Sequence, residues 1–281
     1  MFTQERLTQP QADHSSDAQP FVYLQKTFAL DQVDEMTEAM HEDGFALVPG
    51  VLSLDEVAEL RAATDRLRPF GMDHAGGVGD HYKCVFNRER VFLDQIDRPG
   101  IVDLAERTMG EQCHIIGETA WRSRPGHDGW SPHTDQVWIT VPESNFDDPK
   151  FQLPIYVCTA HYYLSDIPTE AYSPTYVIPG SHKSGRGISW GKDSNPTWHG
   201  KELEPVLVKA GDVLFFRSEI WHSGSKNTSD TTRYLLQVHY SHRFISQKFS
   251  PWPLQYNPEV LAVANERQLR LLGKHPESSY G

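Results

Sequence analysis

The chain is poor in the features that mark secreted, membrane and nucleic-acid-binding proteins. It holds three cysteines in 281 residues, Cys84, Cys113 and Cys158, without the spacing of a zinc site or a disulfide framework, which favours a reducing cytoplasm. No apolar run approaches the ~18 residues of a membrane span, and the polar N-terminus has no signal-peptide core. A formal net charge of −12 disfavours nucleic acid and anionic membranes as partners.

The composition is that of a globular protein with room for an aromatic-lined cavity. Apolar residues make up 38% of the chain and aromatic residues 11%, with 7 tryptophans, and a chain of this length buries a substantial core. Residues 1–20 are polar and are predicted to form a disordered tail. We therefore predict a single domain over residues 21–281, with a β-rich core at about residues 114–245.

Helices are predicted on both sides of that core. Apolar residues recur at helical spacing within residues 30–43. Ser53, with a glutamate three residues later, has the pattern of a capping box that begins a second helix. Residues 100–110 and 258–273 are predicted to form a third helix and a C-terminal helix.

From residue 114 onward the pattern changes to short apolar strands separated by turns, as an all-β core requires. Residues 71–83 are rich in glycine and are predicted to form a mobile loop near the mouth of a pocket. Two long loops, residues 142–154 and 186–204, are of a length that is commonly functional in a compact domain. The predicted strands are residues 45–48, 114–123, 133–141, 155–164, 175–178, 206–208, 213–217 and 233–241.

Two histidines and one aspartate have the residue types and spacing of a metal centre. In the segment SPHTDQVWITV, His133 and Asp135 are two residues apart, so a β-strand would point both side chains to the same side. His222, in GDVLFFRSEIWHSG, follows an apolar strand that begins after a Gly-Asp turn. Two imidazoles and one carboxylate are the ligand set of a non-haem Fe(II) site, which leaves positions open for a chelating cosubstrate and O2.

An arginine follows the second histidine at the start of another apolar strand. Arg233 opens the segment RYLLQVHY, which favours a buried position over a surface turn. An arginine buried beside a metal needs an anionic partner. The free carboxylate of a 2-oxo diacid would provide one.

Four segments together resemble the phytanoyl-CoA dioxygenase (PhyH-like) family of Fe(II)/2-oxoglutarate-dependent oxygenases. Taken in order, they span roughly residues 44–245, which is more specific than any single motif. The segments are GFALVPGVLSLDEVAELR at residues 44–61, the His-x-Asp at residues 133–135 preceded by Arg124-Pro125-Gly126, VIPGSHKSG at residues 177–185, and GDVLFF…WHSGSKNTSDTTR ending at Arg233.

The resemblance implies a mostly β fold, a double-stranded β-helix (cupin-like jelly roll) with flanking N-terminal helices and a C-terminal helix. It implies His133, Asp135 and His222 as the iron ligands and catalytic centre, and Arg233 as the partner of the distal carboxylate of 2-oxoglutarate. Iron halogenases of this general kind lack the carboxylate ligand, so Asp135 favours oxygen-transfer chemistry.

Further side chains are predicted to contact the cosubstrate or the substrate. Arg122 and Arg124 alternate on one predicted strand and face the same side, where either could reach a cosubstrate or substrate carboxylate; a surface ion pair is an equal alternative. Trp138 and Trp190 are predicted to contact the substrate. Gly224 stands where the family often has a serine, which puts one cosubstrate hydrogen bond in doubt.

Several other aromatic side chains have less specific assignments. His182, in a Pro-Gly-Ser turn, is expected to hold the fold rather than a metal, and five other histidines are given structural roles. Four further tryptophans lie in or near predicted pocket loops, some of them in the core. These residues are His74, His81, His161, His239 and His242, and Trp121, Trp130, Trp198 and Trp221.

The sequence therefore predicts a dioxygenase that uses Fe(II), 2-oxoglutarate and O2 to oxidise a C–H bond of a small-molecule, secondary-metabolite substrate, most simply by hydroxylation. Desaturating, cyclising and epimerising variants share the same ligand motif. Two other classes stay open: a non-catalytic jelly-roll protein that binds or senses a metal, and a cupin enzyme that uses iron without 2-oxoglutarate. A homodimer is also left open.

Overall fold

The structure is a computed structural model that describes residues 21–135, 139–189, 191–247 and 256–275. The predicted tail at residues 1–20 lies outside these residues. Four helices precede most of the sheet strands and two follow them. They are α1 (Val33–Glu42), α2 (Leu54–Arg66), α3 (Arg90–Leu93), α4 (Ile101–Met109), α5 (Pro258–Val263) and α6 (Glu266–Leu271).

Within the described residues, ten strands form two antiparallel sheets. The strands are β1 (Phe45–Val48), β2 (Gly79–Lys83), β3 (His114–Ser123), β4 (Trp130–His133), β5 (Val157–Tyr163), β6 (Thr175–Val177), β7 (Glu204–Val206), β8 (Val213–Arg217), β9 (His222–Gly224) and β10 (Arg233–Ser241). The larger sheet has the order β1-β8-β5-β10-β3-β2, and the smaller has the order β4-β9-β6-β7. Neither sheet closes on itself, so the two form an open sandwich.

The larger sheet is covered on both faces, because alternate residues of each strand point to opposite sides. On β8, Val213 and Phe215 pack in the core that the sheet shares with the helices. Leu214 and Phe216 of the same strand pack in a second core together with residues of the smaller sheet. The face between the two sheets is therefore the one on which a site can form.

The helices begin where their local chemistry predicts. The Ser53 hydroxyl accepts a hydrogen bond from the backbone N–H of Glu56 at 3.3 Å, and the Ser53 N–H donates to the Glu56 carboxylate at 2.8 Å. This is the predicted capping box, and losing such a cap typically costs ~1 kcal/mol. Helix α4 and strands β3, β8 and β10 also match their predicted positions within one residue.

Three predicted elements were wrong, and the strand predicted at residues 206–208 lies two residues earlier, at Glu204–Val206. Residues 71–83 were assigned to a loop, but their last five residues form edge strand β2, which pairs with β3. The glycine and polar residues of this segment do not have a strand pattern, because its hydrogen-bond partners are provided by the neighbouring strand. The strand predicted at residues 133–141 ends at His133. The C-terminal helix is two helices, because Ala264 is extended and Asn265 caps the second one.

Candidate active site

His133, Asp135 and His222 come together where β4 and β9 pair. His133 and His222 are register partners with ring centroids 4.3 Å apart. Asp135 lies in a bend beyond the end of β4, and its Oδ1 is 3.6 Å from His133 Nε2 and 3.7 Å from His222 Nε2. One donor atom from each residue lies within 4.8 Å of the other two, and this is the one such group of metal-binding side chains in the described part of the chain. A bend, rather than the predicted strand, positions the carboxylate.

Backbone carbonyl groups orient both imidazoles. His133 Nδ1 is 2.7 Å from the Ser131 carbonyl, and His222 Nδ1 is 3.0 Å from the Ile220 carbonyl. A carbonyl oxygen only accepts, so each Nδ1 carries the proton and each Nε2 presents its lone pair. This is the outer hydrogen bonding that fixes the tautomer of metal-binding histidines. The two Nε2 atoms and the Asp135 carboxylate therefore fit a divalent metal ion.

The electrostatics of the group match the protonation states that a metal requires. Burial alone would raise the pKa of the Asp135 carboxyl, but the imidazoles of His222 and His133 outweigh it and hold that pKa below its usual range. Burial lowers the pKa of His222, against the opposing effect of Asp135. At neutral pH the group therefore offers an ionised carboxylate and a neutral His222, which are the metal-binding forms.

Arg233, at the start of β10, is a cation without an anion. Its Nη2 lies 3.3 Å from the Thr175 hydroxyl, and its guanidinium lies 5.6 Å from the centre of the Tyr163 ring. Its Nε is buried without a hydrogen-bond partner, and it forms no ion pair with any acidic side chain of the described residues. Burial lowers the pKa of Arg233. A buried cation of this kind is compensated when a ligand brings a negative charge.

A cavity of about 510 Å³ lies between the two sheets, and the three metal-binding side chains and Arg233 all line it. This volume is typical of a site for a small molecule. Its floor is the inner face of the larger sheet, where the strand register places side chains in rows. One such row crosses four strands and consists of Lys83, Thr119, Gln237 and His161. Successive rows follow one another along β10, beginning at Arg233.

Arg122 and Arg124 are not brought to this cavity. Their side chains project from the opposite face of β3, where both guanidinium groups pair with Asp80 at 2.6 Å. Arg122 also contacts Asp65 at 2.8 Å. The two arginines do face the same side, as the alternation predicts, but that side lies away from the cavity lining. An ion pair with acidic side chains, which the sequence left as the alternative, is the arrangement that the structure describes, although it is largely buried rather than on the surface.

Several cavity residues were given no site role from the sequence, and His81, His161 and His239, which were assigned structural roles, line the cavity. His161 Nε2 accepts a hydrogen bond from the Gln237 amide at 2.8 Å, and burial lowers the pKa of His161 well below its usual value. Lys83 lines the cavity and forms no ion pair within the described ranges. Polar residues at alternate positions of the apolar strand, Gln237 and His239, were the available signal. Side chains of that kind face a polar site when the rest of the strand is core.

The tryptophans divide between cavity and scaffold. Trp121 and Trp130 line the cavity. Trp221 is buried, and its indole N–H donates to the Arg186 carbonyl at 3.1 Å. Trp138 and Trp190, predicted to contact substrate, lie outside the described residues.

His182 has the structural role expected of it. It is buried, and its Nε2 hydrogen-bonds to the His41 carbonyl at 3.0 Å. Its ring also packs against the Cα of Gly44, where an added Cβ would lie 2.8 Å from Nδ1. His182 therefore fixes the approach of the N-terminal segment and does not line the cavity.

None of the helices in the described ranges has both the length and the apolar character needed to cross a membrane.

Comparisons with known proteins match this geometry. Residues 40–234 match the model of the family described as phytanoyl-CoA dioxygenase (PhyH). Dioxygenase af480 of Aspergillus fumigatus is 26% identical over 243 residues, covering 79% of this chain and 74% of that protein. The family match covers the four segments on which the sequence resemblance rested.

Solved structures share the fold. The epimerase SnoN, in complex with Fe3+, alpha-ketoglutarate and nogalamycin RO, superposes with a TM-score of 0.60 at 21% identity, over 75% of this chain and 84% of SnoN. HygX from Streptomyces hygroscopicus, with nickel, 2-oxoglutarate and hygromycin B bound, has a TM-score of 0.60 at 18% identity, over 76% of this chain and 88% of HygX. The predicted jelly-roll fold is thus confirmed, and the chain belongs to the phytanoyl-CoA dioxygenase family of iron- and 2-oxoglutarate-dependent dioxygenases.

Proposed function

We propose that the protein hydroxylates a C–H bond of a small-molecule natural product. In this proposal His133, Asp135 and His222 hold Fe(II), and Arg233 binds the distal carboxylate of 2-oxoglutarate. Bound iron, with 2-oxoglutarate and O2, supplies the oxidising chemistry, and 2-oxoglutarate leaves as succinate and CO2. Residues 21–281 act as one catalytic domain, and the three unpaired cysteines support a cytoplasmic location.

The observation that carries the proposal is the uncompensated charge of Arg233 on the wall that also holds the metal-binding group. A metal-binding protein without this cosubstrate has no need of a buried guanidinium whose Nε finds no partner. A dicarboxylate that chelates the metal through its 2-oxo acid end would place its second carboxylate in the same cavity. A carboxylate there would form an ion pair with Arg233 and accept hydrogen bonds from Arg233 and Thr175.

The protein's own contribution is to orient groups and exclude water. The Ser131 and Ile220 carbonyls hold the two imidazoles in one tautomer. The Thr175 hydroxyl accepts a hydrogen bond from Tyr163 at 2.9 Å and another from Arg233, and these contacts orient the guanidinium. The remaining cavity volume between the sheets then holds one C–H bond of the substrate near the metal-binding group, which is how a cofactor enzyme selects its reaction.

A small-molecule substrate is supported by the relatives. SnoN and HygX were solved with nogalamycin RO and hygromycin B, respectively. The cavity of this chain, at about 510 Å³, is of the size that encloses such ligands in part. A secondary metabolite therefore fits better than a macromolecule.

The test is turnover of 2-oxoglutarate by purified protein with Fe(II) and ascorbate, in the presence of a metabolite library. The expected result is succinate formation that a subset of compounds stimulates and that His222→Ala abolishes. Metal binding without any succinate would favour the non-catalytic sensing protein instead. An iron enzyme that does not use 2-oxoglutarate would oxidise the substrate without forming succinate.

The mass of the product then identifies the reaction. A gain of one oxygen atom establishes hydroxylation. A loss of two hydrogen atoms establishes desaturation or ring closure, and an unchanged mass with altered stereochemistry establishes epimerisation, the reaction named for SnoN.

A further inference from the structure

Trp130 and Gly224 face each other across the β4–β9 pair, directly beside the metal-binding group. They are register partners, as are His133 and His222 in the same pair of strands. A Cβ added to Gly224 would lie 3.1 Å from Trp130 Cδ1. The backbone of Gly224 does not have a positive φ, so its conformation does not require glycine. The missing side chain at the position where the family often has a serine therefore makes room for an indole.

Two aromatic rings pack in series next to this indole: Trp121 contacts Trp130, and His81 contacts Trp121. The Trp121 ring lies 5.7 Å from that of Trp130 at 80°, and the His81 ring stacks on Trp121 at 3.6 Å. The Trp121 N–H is shared between the Thr119 hydroxyl at 3.0 Å and the Gln237 amide oxygen at 2.7 Å, which locks its plane. We call His81, Trp121 and Trp130 the aromatic wall. Trp130 also contacts the His127 ring at 5.9 Å and is 46% exposed, so part of its surface stays accessible to a ligand beside the contacts that it makes within the protein.

The charges around the aromatic wall disfavour a positive ligand. The carboxylates on the described cavity lining are Asp135, which belongs to the metal-binding group, and Glu118, which is fully buried. Burial raises the pKa of the Glu118 carboxyl well above its usual value, so this group is neutral. Burial also lowers the pKa of His81 to about 3, so the ring is uncharged. Lys83 adds a positive charge that a cationic ligand would meet.

We propose that the aromatic wall binds the substrate by stacking a flat, largely apolar ring system against Trp130, and that the cavity rejects cationic substrates. This inference rests on the proposed function, because it names the substrate class of the same site. Aromatic rings prefer offset-stacked and edge-to-face contacts, and the exposed part of the Trp130 side chain is suited to either with a flat ligand. The exposed edge of the wall lets the rest of a polycyclic molecule extend out of the cavity.

Binding of three simple probes tests the proposal. They are anthracene-2-carboxylate, which is flat and anionic, 9-aminoacridine, which is flat and cationic, and adamantane-1-carboxylate, which is anionic but not flat. Each is titrated by calorimetry into protein loaded with Ni(II) and 2-oxoglutarate, where no turnover occurs. We expect the flat acid to bind at least ten-fold more tightly than either of the others. A smaller preference over either probe, or no binding of the flat acid, overturns the proposal.

Variants locate the binding surface. Trp130→Ala should weaken binding of the flat acid at least ten-fold, equivalent to about 1.4 kcal/mol, whereas Trp130→Phe keeps an aromatic face and should retain most of the affinity. Gly224→Ala should also weaken it, because the new methyl group displaces the indole without changing any charge. Phe244→Ala is the matched control: Phe244 is 67% exposed and does not line the cavity. If Trp130→Ala does not fold, unchanged affinity in Gly224→Ala refutes the proposal on its own.

Failure of this inference and failure of the proposed function have different signatures. The titrations are repeated on protein without metal and 2-oxoglutarate, and succinate formation is measured separately. Retained probe selectivity without succinate formation refutes the enzymatic function but supports the aromatic wall. Succinate formation with a cationic substrate and no probe selectivity supports the enzymatic function but refutes the aromatic wall.

Discussion

Replacing Arg233 by methionine separates cosubstrate binding from metal binding. Methionine has a similar length and fills the space without the charge. Removing one partner of a buried ion pair typically costs about 3–5 kcal/mol. The Nε of Arg233 is buried but the residue as a whole is partly exposed, so we take the lower end, which at 1.36 kcal/mol per factor of ten predicts a rise of about two orders of magnitude in the KM for 2-oxoglutarate.

The same substitution should leave the ligand-free protein as stable as before, or more so. In the ligand-free protein the guanidinium is desolvated, and no acidic side chain among the described residues compensates it. Methionine removes that penalty, so the melting temperature without ligand should stay equal or rise. A saturating ligand at about 100 times its Kd stabilises the wild type by about 2.7 kcal/mol, and Arg233→Met should lose this shift at the same concentration.

The assay compares 2-oxoglutarate with a 2-oxo acid that lacks the distal carboxylate. The wild type should discriminate strongly against the mono-acid, and Arg233→Met should discriminate little, while Fe(II) affinity measured by competition with a chelator stays unchanged. Arg107→Met, which removes an exposed arginine paired with Asp34, controls for loss of a positive charge. If Arg233→Met keeps the wild-type preference between the two acids, Arg233 does not bind the distal carboxylate and the reasoning fails.

Four further substitutions have defined outcomes. His133→Ala and His222→Ala should each abolish Fe(II) binding and turnover while the far-ultraviolet circular dichroism spectrum stays native; full activity in either would remove the residue from the metal site. Glu118→Gln should raise the melting temperature, and by more at pH 8 than at pH 5. The reason is that burial raises the pKa of Glu118, so between the ordinary carboxyl pKa and the raised one the folded wild type holds a proton that the unfolded state releases. Within that range stability falls by up to about 1.4 kcal/mol per pH unit as the pH rises. An equal melting shift at both pH values would contradict this. Arg124→Met should lower the melting temperature by breaking its pair with Asp80 and leave the KM for 2-oxoglutarate unchanged, which steady-state kinetics and a thermal melt can check.

The part of the site that depends on donor type and spacing was predictable. A divalent iron needs imidazole nitrogens and a carboxylate, and those groups are recognisable before any fold is known. The structure brings His133, Asp135 and His222 together and places Arg233 on the same cavity. The reason given for one of them was wrong, since a bend rather than a strand presents Asp135.

The facing of strand β3 was not predictable from its pattern. Alternation shows that Arg122 and Arg124 share one side, but it does not say which side meets the second sheet. Both faces of this sheet are covered, one by helices and one by the smaller sheet. Neither face is therefore a polar, solvent-exposed face that would reveal the orientation of the strand. Trp121 faces the cavity, and the two arginines face Asp80.

By itself, the sequence determined the elements that rest on local chemistry: the Ser53 capping box, the period-two strands, and the candidate side chains for a metal ion and for an anion. Only the tertiary structure decided which side chains share the cavity. Strand β2 forms part of the cavity wall because β3 provides its hydrogen-bond partners. The glycine-rich sequence of β2 does not by itself predict a strand. Trp130 lies beside the metal-binding group because Gly224, about ninety residues away in sequence, leaves the space for it. Contacts of this kind depend on the register between distant strands, and no local pattern encodes that register.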